Sequence, residues 1–443
     1  MHLRHLYFIE AGAVFGGIRY TLKKQIQPNK MNRHNIMNCT TKKKIELLAP
    51  AGNLEKLEIA IHYGANAVYL AGKDFSLRNF SGNFTPAQMA DAIGYAHARN
   101  VKVYVACNIY SRNSEQGQIE DYLSSIKELA PDALIVSDPG ILMRATELIP
   151  RIDIHLSTQA NTTNFNTVRF WEKQGVKRVN VARELSLSEI RQIADNCQAE
   201  IEAFVHGAMC ISYSGRCLMS SFMAGRDSNR GLCCHPCRWR YAVVEEKRPG
   251  EYHPIEEDER GSYIFNSRDL CMIGHIPDLL ASGITSFKIE GRMKGINYLA
   301  SVVKVYREAI DTYFHAPETY RVKEAWAEEL SRISHREYST GFFLDDPTQT
   351  APNDTDNKPT SVHLFVGKVL ERLGHGRIRV GIRNKLVRGD AIEILPQNGK
   401  PATDTIEQIY DHTGIALPLA QPNSTVVLGL KGDYSANDII RKP

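Results

Sequence analysis

IELLAPAGNLEKLEIAIHYGANAVYL, residues 45–70, reads as an apolar run, an amphipathic stretch and a second apolar run. Ile45–Ala49 and Ala67–Leu70 are short and do not alternate, the pattern of strands buried on both faces of a parallel sheet. Between them, Leu54, Leu57, Ala60 and Ile61 fall on one helical face, and Gly64 supplies a stop. The stretch is a β-α-β unit, and the same period recurs downstream. Further runs are Val101–Ala106, Ala133–Val136, Ile152–Leu156, Val179–Val181, Ile201–Val205 and Phe287–Ile289. A second crossover helix is predicted over Pro86–Ala98, with Thr85 as its N-cap and Pro86 in its first turn. Eight such strands predict a TIM-type (β/α) barrel, with a doubly wound sheet as runner-up.

The gap between the seventh and eighth strands is far longer than the others. It predicts an insertion at about 207–284, on the face where barrel active sites form. Within it, Tyr241–Val244 and Tyr263–Phe265 read as strands around a loop containing Pro249–Gly250. Arg292–Tyr313 and Val322–Ser334 read as helices, so the barrel domain spans 45–343. Residues 344–360, rich in Pro, Asn, Asp and Thr, read as a linker. After it the pattern alternates through Val362–Val369, Arg377–Val380, Ala391–Leu395 and Val426–Leu430. Residues 361–443 are therefore expected to form a small β-barrel. Residues 1–44 read as an extension that is disordered or precedes the true start, with Met31 and Met37 as candidate starts. The apolar run Leu6–Ile18 is interrupted by Glu10 and lacks a small-residue cleavage site.

The chain has 443 residues, 43% hydrophobic and 23% charged, with a formal net charge of +4. That composition is ordinary for a globular protein and weak evidence for nucleic acid. No stretch approaches the roughly 20 apolar residues of a membrane span. The nine cysteines are Cys39, Cys107, Cys197, Cys210, Cys217, Cys233, Cys234, Cys237 and Cys271. Crowding at 210–237 in a long chain points to metal or redox chemistry rather than a disulfide scaffold. Soft thiolates suit an iron–sulfur cluster or zinc. Spacing leaves both open, and Cys234-His-Pro-Cys237 adds a redox C-x-x-C reading. Cys107 and Cys197 fit inert buried positions.

The segment 206–248 is locally basic: Arg216, Arg226, Arg230, Arg238, Arg240, Lys247 and Arg248 against Asp227, Glu245 and Glu246. Tyr213, Phe222 and Trp239 are interleaved, as a single-stranded RNA surface would require. Composition favours the plainer reading, a solvated face with a few core aromatics. Gly72, Asn108, Asp138, Gln159, Arg183, Glu184, His206, Glu290 and Arg292 fall at predicted strand ends, which converge on one barrel mouth. Singly, each is equally a cap or a structural ion pair. The chain has no H-E-x-x-H and no G-x-S-x-G, and nothing singles out a Cys–His pair for proteolysis.

Glu46–Asn53, Ala65–Leu70, Phe204-Val-His-Gly-Ala-Met-Cys210 and Phe287-Lys-Ile-Glu-Gly-Arg292 resemble the family described as collagenase-like peptidases of unknown catalytic type. The likeness runs from about Ile45 to the C-terminus. The subgroup it is most similar to is the prephenate-dependent tRNA uridine hydroxylases, which help make 5-hydroxyuridine at the wobble position. Other relatives act on 23S ribosomal RNA or in oxygen-independent ubiquinone hydroxylation. The resemblance implies a cytoplasmic enzyme with tRNA as partner and a 4Fe-4S cluster on Cys210, Cys217, Cys233 and Cys271. Cys234 stands where a non-cysteine is usual, which leaves Cys233 and Cys234 to be told apart; Cys237 is the other substitute. Prephenate, a dicarboxylate co-substrate, is expected on Arg183 and Arg292, with His206, Glu290 and Arg292 as catalytic residues, and an electron donor as a further partner. The trailing β-domain is similar to the small barrels of translation factors. Two other readings stay open: a collagenase-like peptidase and a non-catalytic cluster-bearing scaffold.

Overall fold

The computed structural model describes residues 45–76, 82–210, 212–239, 242–244, 252–254, 268–345 and 363–443. The expected N-terminal extension, the strand at Tyr263–Phe265, the Pro249–Gly250 loop and most of the 344–360 linker lie outside them. Eight parallel strands form the barrel: β1 Glu46–Pro50, β2 Ala67–Leu70, β3 Lys102–Cys107, β4 Ala133–Val136, β5 Asp153–Leu156, β6 Val176–Asn180, β7 Glu200–Ala208 and β11 Ser286–Ile289. Each pairs with the next, and β11 pairs with both β7 and β1, closing the ring. Helices α1 Leu54–His62, α2 Pro86–His97, α3 Gln116–Leu129, α4 Pro139–Leu148, α5 Phe165–Lys173 and α6 Leu187–Asn196 cross between strands. The local signals behave as physics requires. Asn53 caps α1 through its side chain, and Thr85 forms a capping box with Gln88 on α2.

β6 begins three residues before its predicted start, because charge interrupts its apolar run. Arg178 points into the barrel, where it pairs with Glu46, Glu200 and Glu202 and lies over the Tyr104 ring. The interior is therefore half apolar (Leu48, Ala67, Tyr69, Tyr104, Ala106, Ile135) and half an ion network beneath the mouth.

The long connection after β7 contains α7 Met219–Ala224, a hairpin of β8 Ala242–Val244 with β9 Tyr252–Pro254, β10 Asp269–Cys271 and α8 Ile276–Ala281. β7 outruns the barrel, and its last residues pair antiparallel with β10. α9 Ile296–His315 starts four residues later than predicted, after Gly295. α10 Glu324–Ser331 and β12 Tyr338–Ser339, which pairs with β10, complete the domain. No described helix is long and apolar enough to cross a membrane.

Residues 363–443 form a seven-stranded antiparallel sheet and a two-stranded ribbon around a core of their own, including Val366, Ile378, Ile392, Ile409 and Leu428. Strands are Leu364–Gly374, Arg377–Ile382, Ala391–Leu395, Ala402–Thr405, Gln408–Tyr410, Thr425–Gly429 and Ile439–Lys442. Leu395 and Ile439 instead join the main core, and the Tyr63 hydroxyl donates to the Leu395 carbonyl at 2.6 Å.

Candidate active site at the barrel mouth

The C-terminal strand ends surround a pocket of about 530 Å³, including the space open to solvent. Tyr69, Asn108, Ser157, Thr158, Gln159, Asn180, Arg183, Phe204, Lys288, Glu290 and Arg292 line it. Three of these are cations and one is a carboxylate, so the lining has an excess of positive charge. Arg183 is held from several sides. It donates to Glu290 Oε2 at 3.1 Å and to the Ala208 carbonyl at 2.9 Å, and it lies 4.1 Å over the Phe204 ring. Its Nη1 is 4.0 Å from the Cys210 sulfur. Lys288 donates to Glu202 at 2.7 Å, with its ammonium over Tyr69 and Phe204. Arg292 is buried and donates to Ser76 Oγ at 3.3 Å.

Among the described pocket-lining atoms, Asn180 Oδ1 and Arg183 Nε are buried with no hydrogen-bond partner. Buried polar groups are normally satisfied. An open donor and an open acceptor suit a polar ligand that both accepts and donates hydrogen bonds, and the excess of cations favours one carrying negative charge. Tyr69 and Phe204 add flat faces suited to an unsaturated ring. Arg183, Glu290 and Arg292 meet here as expected, and Asn108 and Gln159 join them. Lys288, in the same Lys288–Arg292 stretch that supplies both charge signs at the mouth, lines the pocket as well. Asn180 and Phe204 were missed as site residues: Asn180 ends a strand whose start was misplaced, and Phe204 falls inside an apolar run.

Other expectations are corrected. His206 is not at the mouth. The β7–β11 ladder shifts register between Lys288 and Ile289, and the His206 ring packs among Tyr298, Tyr306 and Tyr338. Burial pushes its pKa down to about 3. It is a neutral core residue rather than a proton carrier at the pocket. A buried histidine that resists protonation costs stability below the unfolded-state pKa, about 6.5. The parent should therefore lose stability as pH falls from about 6.5, and His206→Gln should lose less. Urea midpoints at pH 7 and pH 5.5 test this; equal slopes would show that His206 protonates in the fold. Asp138 caps α4, accepting from Ile141 N, and Glu184 accepts from Ser214 N. Both do structural work.

The cysteines divide. Cys210, Cys217, Cys233, Cys234 and Cys237 lie on a lobe, residues 212–239 with Cys210 at its root, that docks on the mouth. Gly215 sits so close to Gln159 that a Cβ would stand 2.2 Å from the Gln159 carbonyl oxygen. Arg230 donates to the Tyr110 carbonyl and pairs with Glu115. The Cys233 sulfur accepts from His235 N at 3.4 Å and from the Ser220 hydroxyl at 3.6 Å; Cys234 also touches that hydroxyl. Cys271 lies on β10. It is in register with His206, four residues before Cys210, and burial pushes its thiol up to about 11. Among the described residues no three His, Cys, Asp or Glu side chains are gathered as a metal site, and this holds for every choice of ligands from these cysteines.

Comparison with known proteins agrees with this architecture. Residues 52–353 match the model for peptidase family U32, and 361–441 match the peptidase family U32 C-terminal domain. Bacillus subtilis tRNA hydroxylation protein P1 is 39% identical, over 90% of this chain and 95% of that protein. Escherichia coli tRNA hydroxylation protein P is 36% identical, over 89% and 95%. The E. coli 23S rRNA 5-hydroxycytidine C2501 synthase is 30% identical over 80% of this chain and 52% of its own length. The chain, barrel and C-terminal domain together, belongs to peptidase family U32.

Proposed function

We propose that the protein is an RNA-modifying enzyme that hydroxylates wobble uridine of tRNA to 5-hydroxyuridine, with prephenate as co-substrate and a 4Fe-4S cluster on the lobe. The observation that carries this reading is the near full-length similarity to proteins named for tRNA hydroxylation. The mouth supports it in chemical terms. A dicarboxylate carrying a ring would meet Arg183, Lys288 and Arg292 for its charges and Tyr69 and Phe204 for its ring. Glu290 then acts by positioning Arg183 rather than by moving a proton. The reading places the protein in the cytoplasm with its tRNA, and an electron donor would be a further partner.

The donor chemistry of the lobe, rich in soft thiols, fits a cluster. Five thiols lie on this one segment, and Cys271 lies on β10, which pairs with the end of β7 two residues before Cys210. We assign Cys210, Cys217, Cys233 and Cys271, with Cys237 as the substitute. Cys233 is preferred to Cys234 because its sulfur also accepts a backbone N–H, the kind of bond that tunes a cluster. A bound cluster would supply one-electron redox capacity beside the mouth. Iron and acid-labile sulfide on anaerobically purified protein should fall by more than half in Cys271→Ala and stay at the parent level in Cys237→Ala. The opposite pattern would put Cys237 in its place. The function itself is tested by nucleoside analysis of tRNA from a strain lacking the gene, where 5-hydroxyuridine should disappear and return on complementation. Unchanged tRNA would sink the reading.

A further inference from the structure

The lobe has a surface that its cysteines do not explain. Phe222 is 84% exposed, Tyr213 63%, Leu218 56% and Trp239 42%. Aromatic rings interleaved with arginine in a sequence are more often core than surface; here they are on the outside. Exposed apolar side chains grouped on one small segment mark an interaction site. Its charge restricts the partner: residues 210–239 hold four arginines against the single carboxylate of Asp227. Arg216, two residues before Leu218, is itself exposed. The lobe is also fixed in place beside the pocket. Ser214 is anchored on Glu184, Gly215 lies on Gln159, the Ser228 hydroxyl and the Asn229 amide donate to the Cys217 carbonyl, and α7 packs against the 236–238 turn.

We infer that Tyr213, Phe222 and Trp239 form a stacking platform for unpaired RNA bases next to the nucleotide entering the mouth, with Arg216 and Arg226 taking the phosphates. This rests on the RNA reading above and adds its recognition surface. A base must leave its stack to reach a barrel pocket. Its neighbours then lose stacking partners, and exposed aromatic faces replace them whatever the base. Cations beside the rings suit a polyanion, whereas a purely apolar protein partner would not require them. The predicted specificity is therefore for single-stranded or looped RNA over duplex.

The test is fluorescence anisotropy of the intact, cluster-loaded protein with two labelled RNAs: a hairpin with a uridine-containing loop, and a fully paired duplex of matched length. Phe222→Ala and Tyr213→Ala should each weaken hairpin binding by roughly tenfold, leave duplex binding within about twofold, and leave the iron content unchanged. Phe222→Trp should bind like the parent, because the stacking face is kept. Both side chains are exposed, so loss of fold is not the expected route; an unchanged thermal midpoint checks it. Parent-like hairpin binding by both alanine variants would overturn the platform and leave the RNA reading standing. If the parent binds neither RNA, the RNA reading falls as well. A dimer abolished by Phe222→Ala while hairpin affinity is kept would assign the face to a second copy of the chain and overturn the platform.

Discussion

Replacing Arg183 by methionine should reduce kcat/KM for RNA hydroxylation by about thirtyfold or more, while the protein stays folded. Arg183 is the side chain on which the mouth converges: it touches Glu290, the Ala208 carbonyl and the Phe204 ring, and comes within 4.0 Å of the Cys210 sulfur. Truncating one partner of a buried charge pair typically costs about 2–5 kcal/mol, which is about one and a half decades or more in an equilibrium or rate ratio. Part of that loss would come from Glu290, half-buried and deprived of this guanidinium; part would come from the carboxylate of the co-substrate. The two are separable. Glu290→Gln keeps the side chain's shape and removes its charge, so Arg183 is loosened without being removed. It should raise the co-substrate KM by about tenfold and change kcat less. Arg183→Lys should rescue little, because an ammonium cannot offer the planar fork that a carboxylate accepts. Single-turnover and steady-state assays over a range of prephenate concentrations check this. Full activity in Arg183→Met would show that the co-substrate is held elsewhere.

The barrel strands could be read from the sequence wherever a run was purely apolar, and were blurred where the interior is ionic. β1 to β5 and β11 were placed to within about a residue, because each is a continuous β-branched or leucine-rich run. β6 was shortened because Lys177 and Arg178 look like surface, and only the fold reveals three carboxylates around Arg178. β7 was also read short: its extension past the barrel depends on pairing with β10, more than 60 residues later in sequence. For the site, strand-end counting found Arg183, Glu290 and Arg292. It misplaced His206, since a one-residue register shift moves a side chain to the other face and leaves no mark in composition. Spacing located the cysteine-rich segment, whereas the placement of Cys271 on β10, paired antiparallel with the end of β7, depends on long-range pairing that composition does not show. Whether an aromatic faces core or solvent is likewise a tertiary property, which is why composition favoured core positions for Tyr213 and Phe222.

Arg441→Met should destabilise the protein by about 3–5 kcal/mol, the cost of leaving buried carboxylates without their cation. Arg441 is fully buried and donates to Glu329 at 2.6 and 2.8 Å and to Glu393 at 2.6 Å, with the Ser301 hydroxyl at 3.5 Å. Glu329 lies on α10 of the barrel domain, whereas Arg441 and Glu393 lie in the C-terminal sheet. The network therefore joins the two domains. Around it are contacts of the same kind: Lys304 donates to the Gln397 carbonyl at 3.0 Å, and Ile439 N donates to the Tyr63 hydroxyl at 3.2 Å. Arg332 remains as a second cation, 3.2 Å from Glu393 and 3.7 Å from Glu329, and Glu329, which loses two of its hydrogen bonds, should account for the larger share of the loss. Arg441→Met combined with Glu329→Leu should then recover a large part of it, since a well-packed apolar pair often replaces a buried ion pair without penalty. Urea denaturation followed by tryptophan fluorescence reads the energies, because Trp326 is buried on α10 beside this network. A loss below about 1 kcal/mol in the single variant, the range of exposed ion pairs, would mean that water reaches the network and that the domains are held mainly by their apolar contact at Leu395 and Ile439.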